Sequence, residues 1–234
     1  MIRVRSAGPI HAGVMVLDAE EAHHLEVRRV EAGAAVEVLD GAGGIGLGVV
    51  EAAGTQARVM VESVRTVARP ADLVLLVGAG DRDRFLRLVE QAVEAGVTRL
   101  VPVETVRSRN VASRIRAEHG DKMVRRAAEA LKQSGGAWAL SVDRPRSLNE
   151  AIGNTGPGHR WLADLGADPA PKVEAADPVT VAIGPEGGFT GEERAALMAG
   201  GFIPVRFGAR TMRFETAALA AAVVAGLARK ETDG

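Results

Sequence analysis

The chain has 234 residues, a formal net charge of −1 at pH 7 and no cysteine. This length allows one or two domains and a sizeable core, whereas the absence of cysteine excludes disulfides, thiolate nucleophiles and cysteine-ligated metals. No apolar run approaches the roughly 20 residues that a membrane helix needs, and the histidines show no metal-ligand spacing. We therefore expect a cytoplasmic protein with no membrane span and no bound metal.

The first 68 residues have the pattern of a small β-barrel. Short, β-branched, turn-bounded runs predict strands at residues 14–17, 35–39, 46–50 and 57–61. One helix is predicted from Glu20 toward Val27, and it carries His23 and His24. The glycine-rich run 41–46 has the spacing of a dinucleotide-binding fingerprint, but a strand follows where the fingerprint needs a helix. We interpret this run as a hairpin turn.

A proline and mixed charges at residues 67–72 mark a boundary, after which strands and helices alternate. Alternation of this kind predicts a parallel sheet covered by helices on both faces. The strands are predicted at residues 73–77, 100–103, 139–142, 160–163, 179–183 and 204–207. An amphipathic helix that ends at Gly96 follows the first of them. We thus predict two domains, over residues 1–68 and 72–234.

The middle of the chain is rich in positive charge. Residues 107–146 contain ten Lys or Arg and four acidic residues, although the charge of the whole chain is nearly balanced. Such a local excess predicts an RNA-facing patch, because basic groups placed against phosphates supply binding energy. A solvated helix face is the alternative, and the residues alone leave both interpretations open.

Two glycine-bearing segments near the C-terminus each follow a strand-like run and lead into a helix. The first spans residues 183–190 and opens its helix through a capping box of Thr190 and Glu193. The second spans residues 207–217 and leads into a buried, alanine-rich helix over residues 216–228. Glycine leaves room for backbone N–H and C=O groups to face a ligand. The pair therefore predicts a shared small-molecule site.

These segments resemble the two C-terminal signatures of the bacterial 16S rRNA (uracil-N3)-methyltransferases, members of the SPOUT or alpha/beta-knot superfamily. The first reads Ile-Gly-Pro-Glu-Gly-Gly at residues 183–188 and matches in full. The second reads Phe-Gly-Ala-Arg-Thr-Met-Arg-Phe-Glu-Thr-Ala at residues 207–217 and keeps both arginines and the Glu-Thr-Ala. Weaker similarities extend the match over most of the chain, although Ala79, Gln91 and Gly136 stand where the family has basic residues.

The resemblance implies a PUA-like RNA-binding β-barrel followed by a SPOUT domain, a parallel sheet flanked by helices with a trefoil knot. It implies S-adenosylmethionine as methyl donor and methylation of N3 of a specific uridine in 16S rRNA, within the small ribosomal subunit. It also implies a homodimer through the knot and the C-terminal helix, whose apolar residues 217–227 supply a suitable surface. A ribose 2′-hydroxyl or a tRNA as target, or a non-catalytic role in RNA binding or ribosome assembly, stays open.

The same resemblance assigns the site residues. The expected cofactor-binding residues are Ile183, Gly184, Gly187, Gly188, Phe207, Gly208, Met212, Thr216 and Ala217. The expected RNA-binding residues are Arg28, Arg29, Arg107, Arg109 and Arg210. We expect Arg213 to stabilise negative charge on the uracil oxygens. Glu186 and Glu215 are expected to orient groups in the site, since a free carboxylate is a weak base for an imide proton. A structural ion pair between Arg213 and either glutamate is the alternative.

Overall fold

A computed structural model describes residues 1–54 and 56–229. The chain forms two compact units. The first comprises Met1–Arg69 and Glu129–Ala139, and the second comprises Pro70–Ala128 and Leu140–Gly234. By their contacts, residues 129–139 therefore belong to the first unit, although they follow the predicted boundary in the sequence. Residues 230–234 of the predicted second domain lie outside the described residues.

The first unit is built on a five-stranded sheet with the strand order β1-β3-β4-β5-β2. The strands are β1 (Ile2–Arg5), β2 (Gly13–Val16), β3 (Ala35–Leu39), β4 (Gly44–Ala52) and β5 (Arg58–Thr66). Strands β1 and β3 are parallel, and the other pairs are antiparallel. Helix α1 (Ala19–Val27) buries Ala22 and Leu25 in the core of this unit. The predicted strands and the hairpin turn between β3 and β4 are confirmed, and β1 was not predicted.

The second unit contains a seven-stranded sheet, ordered β12-β10-β11-β6-β7-β8, with β9 also paired to β7. The strands are β6 (Leu73–Gly78), β7 (Arg99–Glu104), β8 (Ser141–Val142), β9 (Arg146–Ser147), β10 (His159–Ala163), β11 (Val179–Ile183) and β12 (Ile203–Val205). Every pair is parallel. The predicted parallel sheet is confirmed.

Helices cover both faces of this sheet. They are α2 (Arg82–Glu94), α3 (Gly120–Ser134), which continues into the first unit, α4 (Leu148–Gly153), α5 (Gly191–Ala199) and α6 (Phe214–Ala228). Successive side chains of β11 point to opposite faces, so Val181 packs in the core that includes α2 and α6, and Ala182 packs in the core that includes α4 and α5. Within the described residues, no helix is both long and apolar enough to span a bilayer.

Candidate functional site

The two glycine-bearing segments line one cavity in the second unit, of about 350 Å³. We call residues 183–190 loop I and residues 206–213 loop II. Loop I begins at Ile183, the last residue of β11, and loop II connects β12 to α6. Both loops leave the carboxyl ends of parallel strands, the edge at which open α/β sheets commonly bind ligands. The predicted shared position of the two segments is therefore present in the structure.

Most of the expected cofactor-binding residues contribute to the wall of this cavity. Those that line it are Ile183, Gly184, Gly187, Gly188, Phe207, Gly208, Met212 and Ala217. Thr216, the remaining one, does not line the cavity and is exposed on the first turn of α6. The wall mixes apolar side chains with backbone groups of both loops, a composition typical of small-molecule sites.

The glycines of the two loops have different steric surroundings. A Cβ atom on Gly184 would lie 2.9 Å from Gly188 Cα and 3.0 Å from Phe189 N, so the backbone of loop I itself requires glycine there. Gly188 has a φ of +71°, in the left-handed region that favours glycine. A Cβ on Gly208 would instead lie 3.0 Å from Met212 Cε, the mobile end of a flexible side chain. The packing of loop I thus explains why residue 184 is glycine. The packing of loop II would tolerate a small side chain at position 208.

Loop I is fixed by side chains from elsewhere in the second unit. The Arg107 guanidinium donates a hydrogen bond to the Gly187 carbonyl. At the neighbouring position, Glu186 Oε1 accepts a 3.1 Å hydrogen bond from the backbone N–H of Asp81. Gly80 makes room for this contact, because a Cβ there would lie 2.8 Å from Glu186 Oε2. Loop I therefore has a defined conformation before any ligand binds.

The end of loop I is held by the capping box of α5. Glu193 Oε2 accepts the Thr190 N–H at 2.8 Å, and Thr190 Oγ1 accepts the Glu193 N–H at 3.2 Å. The other carboxylate oxygen of Glu193 accepts the Val106 N–H at 2.7 Å. The Glu193 side chain thus caps α5 and also hydrogen-bonds to the segment that contains Val106. The predicted capping box is confirmed.

Loop II is anchored at its two ends by aromatic contacts. The ring of Phe207 lies 6.2 Å from that of Trp161, and the ring of Phe214, at the start of α6, lies 6.2 Å from that of Phe85. Between these anchors, Arg210, Thr211 and Arg213 are exposed. Their side chains make no hydrogen bond or ion pair within the part of the chain that the structure describes. These groups are available to a ligand.

The three expected catalytic residues occupy different environments. Glu186 lines the cavity, whereas Arg213 is exposed at the N-cap position of α6, where its side chain makes no capping hydrogen bond. Glu215 is buried on α6, and its Oε2 has no hydrogen-bond partner. The alternative prediction was a structural ion pair between Arg213 and Glu186 or Glu215. No such ion pair occurs among the described residues.

A third segment contributes to the cavity and was not predicted. Asp164 and Leu165, directly after β10, line the wall together with loops I and II. The Asp164 carboxylate accepts hydrogen bonds from the Gly166 N–H at 2.9 Å and from Arg194 at 2.6 Å. These two contacts hold the pKa of Asp164 below its ordinary value, and the hydrogen bond from Gly166 has the larger effect. The predicted strand at residues 160–163 offered a signal, because all strands of a parallel sheet end at the same edge.

The expected RNA-binding arginines fall into two groups. In the second unit, Arg210 lines the cavity, Arg107 contacts loop I, and Arg109 lines a separate hollow of about 290 Å³. In the first unit, Arg28 and Arg29 are exposed at the end of α1. Arg29 has a φ of 52° and is the one non-glycine residue with positive φ among residues 1–54 and 56–229. This conformation is costly for a residue with a Cβ.

The basic middle stretch is partly engaged in ion pairs. Lys132 is buried, and its Nζ lies 2.8 Å from Glu21 and 2.7 Å from Glu129, within the first unit. Arg126 and Arg146, in the second unit, also pair with acidic side chains. These three cations therefore have structural partners. Residues 107–146 do not present all their basic groups as one free patch.

Comparison with known proteins establishes the family. The RNA methyltransferase domain family matches residues 68–226, which include both loops and the whole sheet of the second unit. The chain belongs to this RNA methyltransferase family. The RNA methyltransferase PUA domain matches residues 17–57, within the first unit. The expected family and fold class are confirmed, and the trefoil knot stays a prediction.

Individual relatives agree with this assignment. Ribosomal RNA small subunit methyltransferase E of Aquifex aeolicus is 30% identical over 162 residues, which cover 68% of this chain and 69% of that protein. The enzyme of the same name from Synechocystis is 27% identical over 213 residues, with 87% and 69% covered. The crystal structure of its namesake from Neisseria gonorrhoeae, bound to S-adenosyl methionine, shares the fold with a TM-score of 0.87, 23% identity and 98% of each chain covered.

Proposed function

We propose that the protein transfers a methyl group from S-adenosylmethionine to N3 of a uridine in 16S rRNA of the small ribosomal subunit. The proposal rests on the cavity that loops I and II line together. The names of the A. aeolicus and Synechocystis relatives support ribosomal RNA of the small subunit as the substrate. The S-adenosyl methionine bound by the N. gonorrhoeae relative supports the methyl donor.

The residues of the cavity fit such a donor. A volume of about 350 Å³ lies within the range of small-molecule sites, roughly 300–1,000 Å³. Ile183, Phe207 and Met212 offer apolar surface for a flat heterocycle, and the backbone of both loops offers hydrogen-bonding groups. S-adenosylmethionine supplies an activated methyl group when bound. No set of three or more His, Asp or Glu suited to a metal ion occurs in the described residues.

Methylation at N3 requires that the uracil nitrogen lose its proton. The negative charge that develops is shared with the two carbonyl oxygens of the base, and a nearby guanidinium stabilises it. We assign this role to Arg213 because it is the last residue of loop II, is exposed and has no side-chain partner among the described residues. A carboxylate is too weak a base for this proton. We assign Glu186 instead to holding the backbone at Asp81 next to the cavity.

The substrate base has to leave its stack, since stacking and pairing hide the N3 edge. Arg107 and Arg210 lie at or beside the cavity wall, where they would contact the phosphates around an extruded uridine. Arg109, Arg28 and Arg29 are further contacts with RNA in this proposal. We also propose a cytoplasmic location and a homodimer formed through the knot and α6, a helix on which Val223 and Leu227 expose apolar surface.

The function is tested by transfer of tritium from labelled S-adenosylmethionine to small ribosomal subunits that lack the modification. Digestion of the rRNA to nucleosides then identifies the labelled product. The proposal expects the label in 3-methyluridine. Label in a ribose-methylated nucleoside, or transfer to tRNA and not to the subunits in a parallel assay, would contradict the proposed target. No transfer to any RNA by a protein that binds S-adenosylmethionine would favour a non-catalytic role.

A further inference from the structure

The segment after β10 places a carboxylate in the cavity wall that neither glycine loop supplies. Asp164 is half-buried, and Leu165 next to it is an exposed apolar residue. Neither residue belongs to the two signatures from which the site was predicted. The cavity thus has a third wall with its own chemistry, an acidic group beside an apolar one.

The Asp164 carboxylate is held in one orientation from two directions. Its Oδ1 accepts the Gly166 N–H at 2.9 Å, and its Oδ2 accepts Arg194 Nη2 at 2.6 Å. The first contact fixes the carboxylate to its own turn, and the second fixes it to α5. An ionised carboxylate offers about four acceptor sites. One acceptor site on each oxygen therefore stays available to a ligand.

We infer that Asp164 binds the two ribose hydroxyl groups of the methyl donor, an inference that rests on the proposed function. Leu165, Ile183 and Phe207 form the apolar surface on which the adenine ring would lie. The ribose is bonded directly to the adenine, so its hydroxyls lie beside that surface and within reach of a carboxylate that adjoins it. A vicinal diol presents two O–H groups, which match the two oxygens of Asp164.

Arg194 acts as a positioning residue in this arrangement. Its guanidinium contacts the carboxylate and does not line the cavity. Through this contact, α5 orients Asp164 toward the ligand. Hydrogen bonds to an ionised group are stronger than those between neutral groups. Asp164 is therefore expected to contribute substantially to affinity for the donor.

The test compares two neutral ligands by calorimetry, S-adenosylhomocysteine and its 2′,3′-dideoxy analogue. We expect the wild-type protein to bind the dideoxy analogue about tenfold or more weakly, the size of effect that hydrogen bonds to a charged group produce. We expect Asp164→Asn to lose affinity for S-adenosylhomocysteine and to leave the affinity for the analogue nearly unchanged. The preference for the hydroxyl groups would then nearly disappear.

Arg194→Met is the matched control, because it removes the ion pair and keeps the carboxylate. Because the Gly166 N–H still holds Oδ1, this variant is expected to keep part of the preference, less than the wild-type protein and more than Asp164→Asn. An equal loss of both ligands in Asp164→Asn would mean that Asp164 only supports the fold, and would overturn the inference. Equal affinities of the two ligands for the wild-type protein would overturn it without any variant. If the wild-type protein bound neither ligand, the proposed function itself would be contradicted.

Discussion

Loops I and II form one cavity but are built differently. Loop I is held along its length by Arg107, by the contact of Glu186 with Asp81 and by the capping box of α5. Loop II is held only near its ends, where Phe207 and Phe214 pack against other rings. Its polar side chains are exposed and unpartnered within the described residues.

This difference indicates a division of labour. A loop that is fixed before binding presents its backbone groups without a free-energy cost of reorganisation. This suits a small ligand that is the same in every reaction cycle. Exposed arginines without partners suit a large anionic ligand, because no existing ion pair has to be broken when they bind it. We infer that loop I serves mainly the proposed methyl donor, and that loop II also serves the RNA.

The largest effect is expected from Gly184→Ala. The added Cβ meets backbone atoms of Gly188 and Phe189, which cannot move without distorting loop I. We expect no measurable binding of S-adenosylhomocysteine in calorimetry, and a loss of about 1–3 kcal/mol in the free energy of unfolding. Gly208→Ala is the control for stability, since Met212 can rotate away and the free energy of unfolding should change little. Equal losses of stability in the two variants would show that the loops do not differ in rigidity.

Arg213→Ala is expected to act on the reaction and not on the fold. Because Arg213 is exposed and unpaired in the structure, the free energy of unfolding should change by no more than about 0.5 kcal/mol. The single-turnover rate at saturating RNA should fall roughly 10²- to 10³-fold, as when other groups that stabilise a developing anion are removed. An unchanged rate would refute the electrostatic role of this arginine.

Glu193→Ala tests how far the fixation of loop I depends on the start of α5. The change removes the carboxylate that accepts the N–H groups of Thr190 and Val106. We expect the free energy of unfolding to fall by about 0.5–2 kcal/mol, the range for lost helix caps. Urea titration measures this loss, and Glu192→Ala on the same turn is the control. If both variants lost the same stability, the capping contacts of Glu193 would have no special importance.

The smallest effect is expected from Thr216→Ala. Thr216 was predicted from its signature to bind the cofactor, but it is exposed and does not line the cavity. Affinity for S-adenosylhomocysteine should stay within about twofold, a change of less than roughly 0.5 kcal/mol. A tenfold loss in calorimetry would mean that the helix start rearranges to bring Thr216 into the site.

Local patterns predicted most of the fold. Strands β3 and β11 are short segments made mostly of β-branched and other apolar residues, so their positions followed from the sequence. Strand β1 was missed because the run Ile2–Arg5 is short and contains two arginines. The place of residues 129–139 in the first unit was also not predictable. It depends on pairs such as Lys132 with Glu21, which lie far apart in the sequence and leave no local pattern.

The site was predicted less completely than the fold. Two glycine turns at the ends of parallel strands indicated a common cavity, but they did not indicate why each position is glycine. Glycine is required at position 184 because a Cβ there would meet the backbone of Gly188 and Phe189, a contact that the sequence does not show. Asp164 was missed because it belongs to neither signature. It enters the site through the strand order, which places the end of β10 beside β11 and β12.

Amide hydrogen exchange with and without S-adenosylmethionine measures both loops in one experiment. We expect slower exchange in residues 183–190 and 206–217 when the ligand is present. The increase in protection should be larger in loop II, since loop I is already hydrogen-bonded without ligand. Unchanged exchange in both loops, or protection confined to other parts of the chain, would contradict the assignment of this cavity to the methyl donor.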